Sequence, residues 1–198
     1  MKTLLVLLVM ICAVSSYAAQ AQDQEITLAL SAEPEHLRAD STVYVLENGK
    51  YTKVRDGKSG FTCTVLRATS DSREPICFDQ EGSRTNMIVD MRRTEWRAQG
   101  LKENEIQSKV EEGYKKGEFS APKRSGVVYM LSNENYIYNP ETGKVFHYPP
   151  HLMFMAPYLK NADIGARMET DSSTERPWVL SEGQPDAYII VAQGDHQH

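Results

Sequence analysis

Strand-like runs of apolar residues, separated by polar turns, dominate the chain from about residue 42 to residue 79. Runs rich in Val, Tyr and Thr flank Asn48-Gly49, two residue types that accept the positive φ angles of a tight hairpin turn. "GFTCTVLR" and "PICFD" follow as two further short runs. The pattern predicts a β region that begins with a hairpin at 48–49.

The central part of the chain changes to helical periodicity. Between Ser83 as the expected cap and Gly100 as the expected stop, one helical face would carry Met87, Ile88, Met91 and Ala98. A second helical run has apolar residues four positions apart, namely Ile106, Val110 and Tyr114. We therefore predict two helices, joined as a hairpin, between two β regions.

A second β region follows the helices. "GVVYMLS" is typical of a strand, 132–148 of a turn-rich excursion, and "HLMFM" of a short strand bounded by prolines on both sides. "AYIIVA" is a continuous apolar run, which favours a central strand. The predicted fold class is α+β, a mostly antiparallel sheet with the central helical hairpin packed on one face.

The N-terminus has the pattern of a secretory signal. Lys2 precedes the apolar run "LLVLLVMICAV", which is too short to span a bilayer comfortably, and an A-x-A site follows at Ala19 and Ala21. We expect cleavage after Ala21, with Ala18 as the alternative. Residues 1–21 are then a signal peptide, and 22–198 are a single globular domain with a flexible C-terminal tail.

This interpretation places the mature chain in the periplasm or outside the cell, with no further segment apolar enough to be a membrane span. We expect a short polar start, then one or two helical turns in "AEPEHLRAD". A formal net charge of −5 gives no general attraction to nucleic acid or anionic lipid. The expected partner is a small ligand or an envelope protein, and no cofactor is expected.

Two cysteines remain after the signal peptide, Cys63 and Cys77. In an oxidising compartment an isolated pair is expected to close into a disulfide. The alternatives are two free thiols or a pair of metal ligands, but the chain has no C-x-x-C spacing around them.

The stretch "HYPPHLMFMAPYL" raises the sharpest functional question. If 151–155 is a strand, His151, Met153 and Met155 share one face, with Leu152 and Phe154 on the other. An imidazole and two thioethers are ligand types that copper(I) prefers. Methionine is also a common filler of irregular cores, so the stretch favours a buried strand over a metal site. His196 and His198 in the tail add at most a weak metal site.

Most common catalytic signatures are missing from the sequence. It contains no G-x-S-x-G, no H-E-x-x-H, no complete phosphate loop and no calcium loop. Asp163 in "NADIG" and Asp79 in "CFDQEG" lie beside glycine turns, where aspartates usually cap the turn. A hydrolase that uses His151 with Asp163 or Asp79 is the enzymatic alternative.

The ordered blocks "GFTC", "PICFD", "YMLS", "PPHLMFMAPY" and "NADIG" resemble those of a group of uncharacterised exported bacterial proteins. The resemblance covers roughly residues 39–191. It implies export and a single domain, and it assigns no catalytic residue. Residues in these blocks are the first choice for mutation: Cys63, Cys77, His151 and Asp163.

Three functions follow from these observations. The first is non-catalytic binding of a small ligand or partner near His151 and the "NADIG" loop, with Met153, Met155 and Asp163 as the neighbouring candidates. The second is the hydrolase, and copper binding is a variant of the first. The third is a structural component of the envelope, which would be recognised by stable co-purification with its partner.

Overall fold

The computed structural model describes residues 19–139, 142–166 and 177–192. Its helices are α1 (19–30), α2 (Glu35–Arg38), α3 (Asn86–Ala98) and α4 (Glu103–Lys116), with 3-10 turns at Gly82–Arg84 and Asn161–Ile164. Residues 1–18 of the predicted signal peptide, residues 140–141 and 167–176, and the predicted C-terminal tail with His196 and His198 lie outside the described residues.

The strands fall into one large sheet and one separate hairpin. The sheet contains β1 (Thr42–Glu47), β2 (Lys50–Arg55), β3 (Thr62–Leu66), β4 (Glu74–Phe78), β5 (Val127–Met130), β8 (His151–Met155), β9 (Trp178–Leu180) and β10 (Tyr188–Ala192). The hairpin is formed by β6 (Tyr136–Asn139) and β7 (Lys144–His147).

The order across the sheet is β2-β1-β3-β4-β5-β8-β10-β9. Every neighbouring pair is antiparallel except β1 and β3, which run parallel. Strands from both predicted β regions meet where β4 pairs with β5. The α+β class and the mostly antiparallel sheet are thus confirmed. β10 lies one strand from the edge, paired on both sides.

Helices cover both faces of this sheet. On one face, Met87 and Met91 of α3 pack against a core built on Ile76, Phe78 and Met153. On the opposite face, Ala29 and Ala32, in and just after α1, pack against Val43, Val45, Cys63, Val65 and Cys77. The helical hairpin therefore lies on one face as predicted, while α1 forms a second layer.

The helix α1 was not predicted, because its first residues were expected to be a short polar start. Ala29 and Ala32 are its fully buried contacts, and Ile26, Leu28 and Leu30 pack partly buried against the same core. The helix runs through the expected cleavage site at Ala21. Within the described residues, no helix is long and apolar enough to cross a membrane.

The helix α3 differs from the prediction on its buried face and at its start. Ile88 is 42 % exposed and Ala98 is also exposed, whereas Val89 is fully buried. Ser83 lies in the 3-10 turn before α3, so the helix begins at Asn86 and not directly after Ser83. Gly100 follows the end of α3 with φ at 86°, in agreement with its expected role as a stop.

The second helix and the first hairpin agree with the sequence pattern. In α4, Ile106 and Val110 are buried, and Gly117 adopts φ of 75° directly after the helix. At the β1–β2 turn, Asn48 and Gly49 have φ angles of 51° and 77°. The segment 132–148, expected as a turn-rich excursion, contains the β6–β7 hairpin instead of irregular turns alone.

Cys63 and Cys77 lie directly opposite each other in β3 and β4 and form a disulfide. Both are fully buried under α1. The carboxyl group of Glu33 lies within 4.8 Å of both sulfurs, and burial raises the pKa of Glu33. Because the sulfurs are bonded to each other, they are not available as a pair of thiolate metal ligands.

Removing the disulfide is expected to destabilise the protein. The double variant Cys63→Ala/Cys77→Ala frees a loop with a sequence separation of 14 residues, which lowers the free energy of unfolding by about 3 kcal/mol. Urea unfolding of the wild type, with and without reductant, and of the variant measures this difference. Two thiols that react freely in unreduced, denatured protein would contradict the assignment.

Candidate functional site

The strand β8 divides its side chains between the two faces of the sheet. His151, Met153 and Met155 are buried on the face that α3 covers, and Leu152 and Phe154 are partly buried on the other face. This is the alternation predicted from the sequence. Two neighbouring strands fix the register of β8, since His151 pairs with Met130 of β5 and Met153 pairs with Ile190 of β10.

A cavity of about 460 Å³ lies over this face of the sheet, and residues of α3 and the β6–β7 hairpin contribute to its lining. Its lining is mainly aromatic and aliphatic: Leu66, Ile76, Met130, Ile137, Tyr138, Phe146, Tyr148, Met153, Trp178, Leu180, Tyr188 and Ile190. The remaining lining residues are polar, namely Glu74, Asp90, Asn139 and His151. Such a lining, apolar with a few polar groups, is typical of a small-molecule site.

His151 is 1 % exposed and lines this cavity. Its Nδ1 lies 2.8 Å from the carbonyl oxygen of Pro149. A carbonyl oxygen only accepts, so Nδ1 carries the hydrogen and Nε2 keeps its lone pair. Burial lowers the pKa of His151, and Nε2 has no hydrogen-bond partner among the described residues. The ring is therefore a neutral acceptor held in one orientation.

An aromatic cluster holds the wall around His151. The ring of Tyr148 meets the imidazole edge to face, with 4.8 Å between the centroids, and Phe146 packs on Tyr148. Trp178 donates from Nε1 to the hydroxyl oxygen of Tyr148 at 3.3 Å. This cluster joins β7, β8 and β9, so the wall depends on tertiary contacts as well as on β8.

The two methionines of β8 have different surroundings. Met153 lines the cavity with His151. Met155 packs beneath the backbone near Gly82 and Gly126, where Thr85 Oγ1 donates to its sulfur at 3.9 Å. A copper site built from His151, Met153 and Met155 would need Met155 to leave that packing, and its sulfur is outside the cavity lining.

Asp79 and Asp163 are occupied as turn caps. Asp79 accepts from the backbone N–H of Gly82 at 2.8 Å and of Val127 at 3.3 Å. Asp163 is exposed and accepts from the N–H of Lys160 at 2.9 Å. Neither lines the cavity that contains His151. The structure therefore does not bring His151 together with either carboxylate, although the hydrolase alternative requires one of them there.

The "NADIG" segment has a structural role in supporting the cavity wall. Asn161 accepts from the N–H of Val179 at 2.7 Å and donates to its carbonyl oxygen at 3.1 Å. The side-chain amide thus pairs with the middle of β9, the edge strand that carries Trp178 and Leu180. Asn161 supports the wall of the site from outside it.

Two acidic residues of the cavity, Glu74 and Asp90, were missed in the sequence. Glu74 begins β4 and is partly buried, and Asp90 lies in α3. Burial is the main reason that the pKa of Glu74 rises to about 7 and that of Asp90 to about 6. Asp90 contributes further to the raised pKa of Glu74, because two nearby negative charges repel each other.

The two carboxyl groups differ in their hydrogen bonds. Asp90 accepts from the hydroxyl of Tyr188 at 2.9 Å and from Arg93 at 3.2 Å. Glu74 has no hydrogen bond or ion pair among the described residues. A partly buried acid without a partner is costly when ionised, and such groups often mark functional sites.

A signal for Glu74 was present in the sequence. In "EPICF" the period of two puts Glu74 on the same face as Ile76 and Phe78, which are both buried. An acid at the first position of a strand is usually solvated, however, and only the covering hairpin makes this one part of a cavity. Asp90 lies three residues after the buried Met87 in a predicted helix, a spacing that indicates the same helical face.

Comparisons with protein-family models, curated proteins and solved structures give no match to this chain. The resemblance to exported bacterial proteins is therefore neither supported nor opposed by them.

Replacing Glu74 by Gln tests its environment. Because the pKa of Glu74 lies above its ordinary value of 4.5, the wild type loses stability as pH rises from about 4.5 through 7. The variant has no carboxyl group at position 74 and does not lose this stability. The difference in free energy of unfolding, variant minus wild type, should therefore increase by about 1–2 kcal/mol from pH 4 to pH 8, a value reduced for the partial exposure of Glu74.

Urea unfolding at the two pH values measures the change, with Glu118→Gln as the control because Glu118 is exposed. An equal difference between Glu74→Gln and the wild type at pH 4 and pH 8 would show that Glu74 is not held in a desolvating environment.

Proposed function

We propose that this chain is a non-catalytic binding protein for a small, mainly apolar molecule, which enters the cavity beside His151. The observation that carries the proposal is the cavity of about 460 Å³ with aromatic and aliphatic walls. A volume of roughly 300–1,000 Å³ with a few directed polar groups is the usual form of a small-molecule site.

The walls supply the affinity in this proposal. Side chains from five strands of the sheet, β3, β4, β5, β8 and β10, form its floor, and Phe146, Tyr148 and Trp178 add aromatic surface. Burying apolar ligand surface against them is worth about 25 cal/mol per Å² before the cost of association is subtracted. The Nε2 atom of His151 offers one hydrogen-bond acceptor for orientation.

The exposed apolar residues of the rim support the same proposal. Phe146 is 42 % exposed and Leu180 is 38 % exposed, and both line the cavity. They lie on different parts of the chain, one on the β6–β7 hairpin and one on the edge strand β9. A bound apolar molecule would cover both side chains, and exposed apolar residues of this kind are typical of a binding site.

The two alternatives from the sequence have less support. Copper binding has His151 and Met153 in one cavity, but its third ligand, Met155, packs elsewhere. A hydrolase based on His151 lacks a neighbouring carboxylate from Asp79 or Asp163, since both cap turns. Neither alternative uses the aromatic wall, which is the main feature of the site.

We also propose that the protein is exported and acts in the periplasm or outside the cell. The signal-like N-terminus and the resemblance to exported bacterial proteins motivate this proposal. The disulfide between Cys63 and Cys77 fits an oxidising compartment.

Filling the mouth of the cavity should prevent binding. A neutral apolar dye, N-phenyl-1-naphthylamine, is expected to bind the wild type with enhanced fluorescence. Leu180→Trp should weaken this binding at least about tenfold, because the indole takes the space of the ligand near the rim. Fluorescence titration of both proteins measures the two dissociation constants.

Ile88→Trp is the matched control, since Ile88 is also about two-fifths exposed but lies on α3 outside the cavity lining. Its dissociation constant should stay within about twofold of the wild type. Absence of binding to the wild type, or equal weakening by both variants, would overturn the proposal.

A further inference from the structure

A second cleft, of about 390 Å³, adjoins the apolar cavity, and the two share part of their walls. The shared residues include Glu74, Asp90, Tyr138 and Tyr188. The acids therefore stand at the boundary between an apolar space and a charged one. A molecule in the apolar cavity that reaches this boundary can contact the two carboxyl groups.

The charges around this boundary do not balance. The lining of the adjoining cleft contains four carboxylates, from Glu74, Asp90, Glu103 and Asp186, but only two guanidinium groups, from Arg93 and Arg97. Each additional buried negative charge raises the cost of the others, so an uncompensated set attracts a positive group.

Both arginines hydrogen-bond to other acids, although Arg97 lies close enough to Glu74 for its charge to oppose the rise in the pKa of Glu74. Arg93 lies 2.6 Å from a carboxylate oxygen of the buried Asp186. Arg97 contacts both carboxylate oxygens of Glu103, at 2.6 and 2.9 Å. Such paired contacts to one carboxylate fix the guanidinium in place. Among the described residues, Glu74 is thus the acid of this cluster that is left without a hydrogen bond or ion pair.

We infer that the ligand is an amphipathic cation, with an apolar body in the cavity and an ammonium group that contacts the carboxylate of Glu74. This inference rests on the binding function proposed above and specifies its ligand class. An ammonium has three donors, which suits an unpaired carboxylate with Asp90 close by. The aromatic rings of Tyr138 and Tyr188 at the same boundary add favourable surfaces for a cation.

The inference is tested with three molecules that differ only in their head group: decylamine, decanol and decanoate. Each is titrated at pH 8 against wild-type protein that carries N-phenyl-1-naphthylamine in the cavity. Decylamine should displace the dye at a concentration at least about tenfold below that of decanol, and decanoate should be the weakest. This comparison needs no variant, so it is independent of any folding defect.

The variant Glu74→Gln then tests whether Glu74 is the residue that contacts the ammonium group. In the variant, the concentrations of decylamine and decanol that displace the dye should lie within about threefold of each other, because the charge that favours the amine is gone. Glu118→Gln, which changes an exposed glutamate, should preserve the full preference for the amine.

The outcomes separate this inference from the proposed function. If the dye binds the wild type and the amine shows no advantage over the alcohol, the cationic ligand is ruled out and the apolar binding site stands. The cationic ligand is equally ruled out if Glu74→Gln retains the full preference for the amine. If neither the dye nor any of the three molecules binds, both proposals fail.

Discussion

The register of β8 between β5 and β10 is the constraint on which the rest of the site depends. Side chains of a strand alternate between faces, so a slip by one residue would exchange the two faces. Leu152 and Phe154 would then face α3, and His151 and Met153 would leave the cavity. The pairs Met130–His151 and Met153–Ile190 hold β8 in the observed register from both sides.

This register creates a floor of large apolar side chains, but it does not close the space above it. Closure comes from two elements outside the central strands, the helix α3 and the β6–β7 hairpin, which contribute Asp90 and Phe146 to the lining. Because these elements approach from different directions, they leave a cavity between them. The fold thus combines a well-packed sheet with a space at its surface that no described side chain fills.

The acids at the boundary of the cavity have a cost for folding. Glu74 and Asp90 both lie in surroundings that disfavour their charged forms, and only Asp90 has hydrogen-bond donors. A protein selected for stability alone would gain from a neutral residue at position 74. Retaining an acid there is consistent with a site that recognises a positive group, as in other binding sites that trade stability for recognition.

Local sequence signals were sufficient for several elements. Prolines on both sides predicted the bounds of β8, and Asn48-Gly49 predicted the first hairpin, because both signals act on the backbone directly. The helix α1 escaped prediction, since Ile26, Leu28 and Leu30 alternate with other residues as in a strand, although they pack from a helix. Of the cavity lining, the sequence predicted His151 and Met153 but not Glu74 and Asp90. These two acids lie in different elements, and only the tertiary structure brings them to the same cavity.

The methionine methyl groups give the most direct test of a ligand in the cavity. Met130 and Met153 line it, whereas Met155 is buried on the same strand as Met153 but outside the lining. In a methyl NMR spectrum of protein labelled at methionine, a saturating amount of N-phenyl-1-naphthylamine should shift the signals of Met130 and Met153 and leave that of Met155 in place. Unchanged signals for Met130 and Met153, or a shift confined to other methionines, would contradict binding in this cavity.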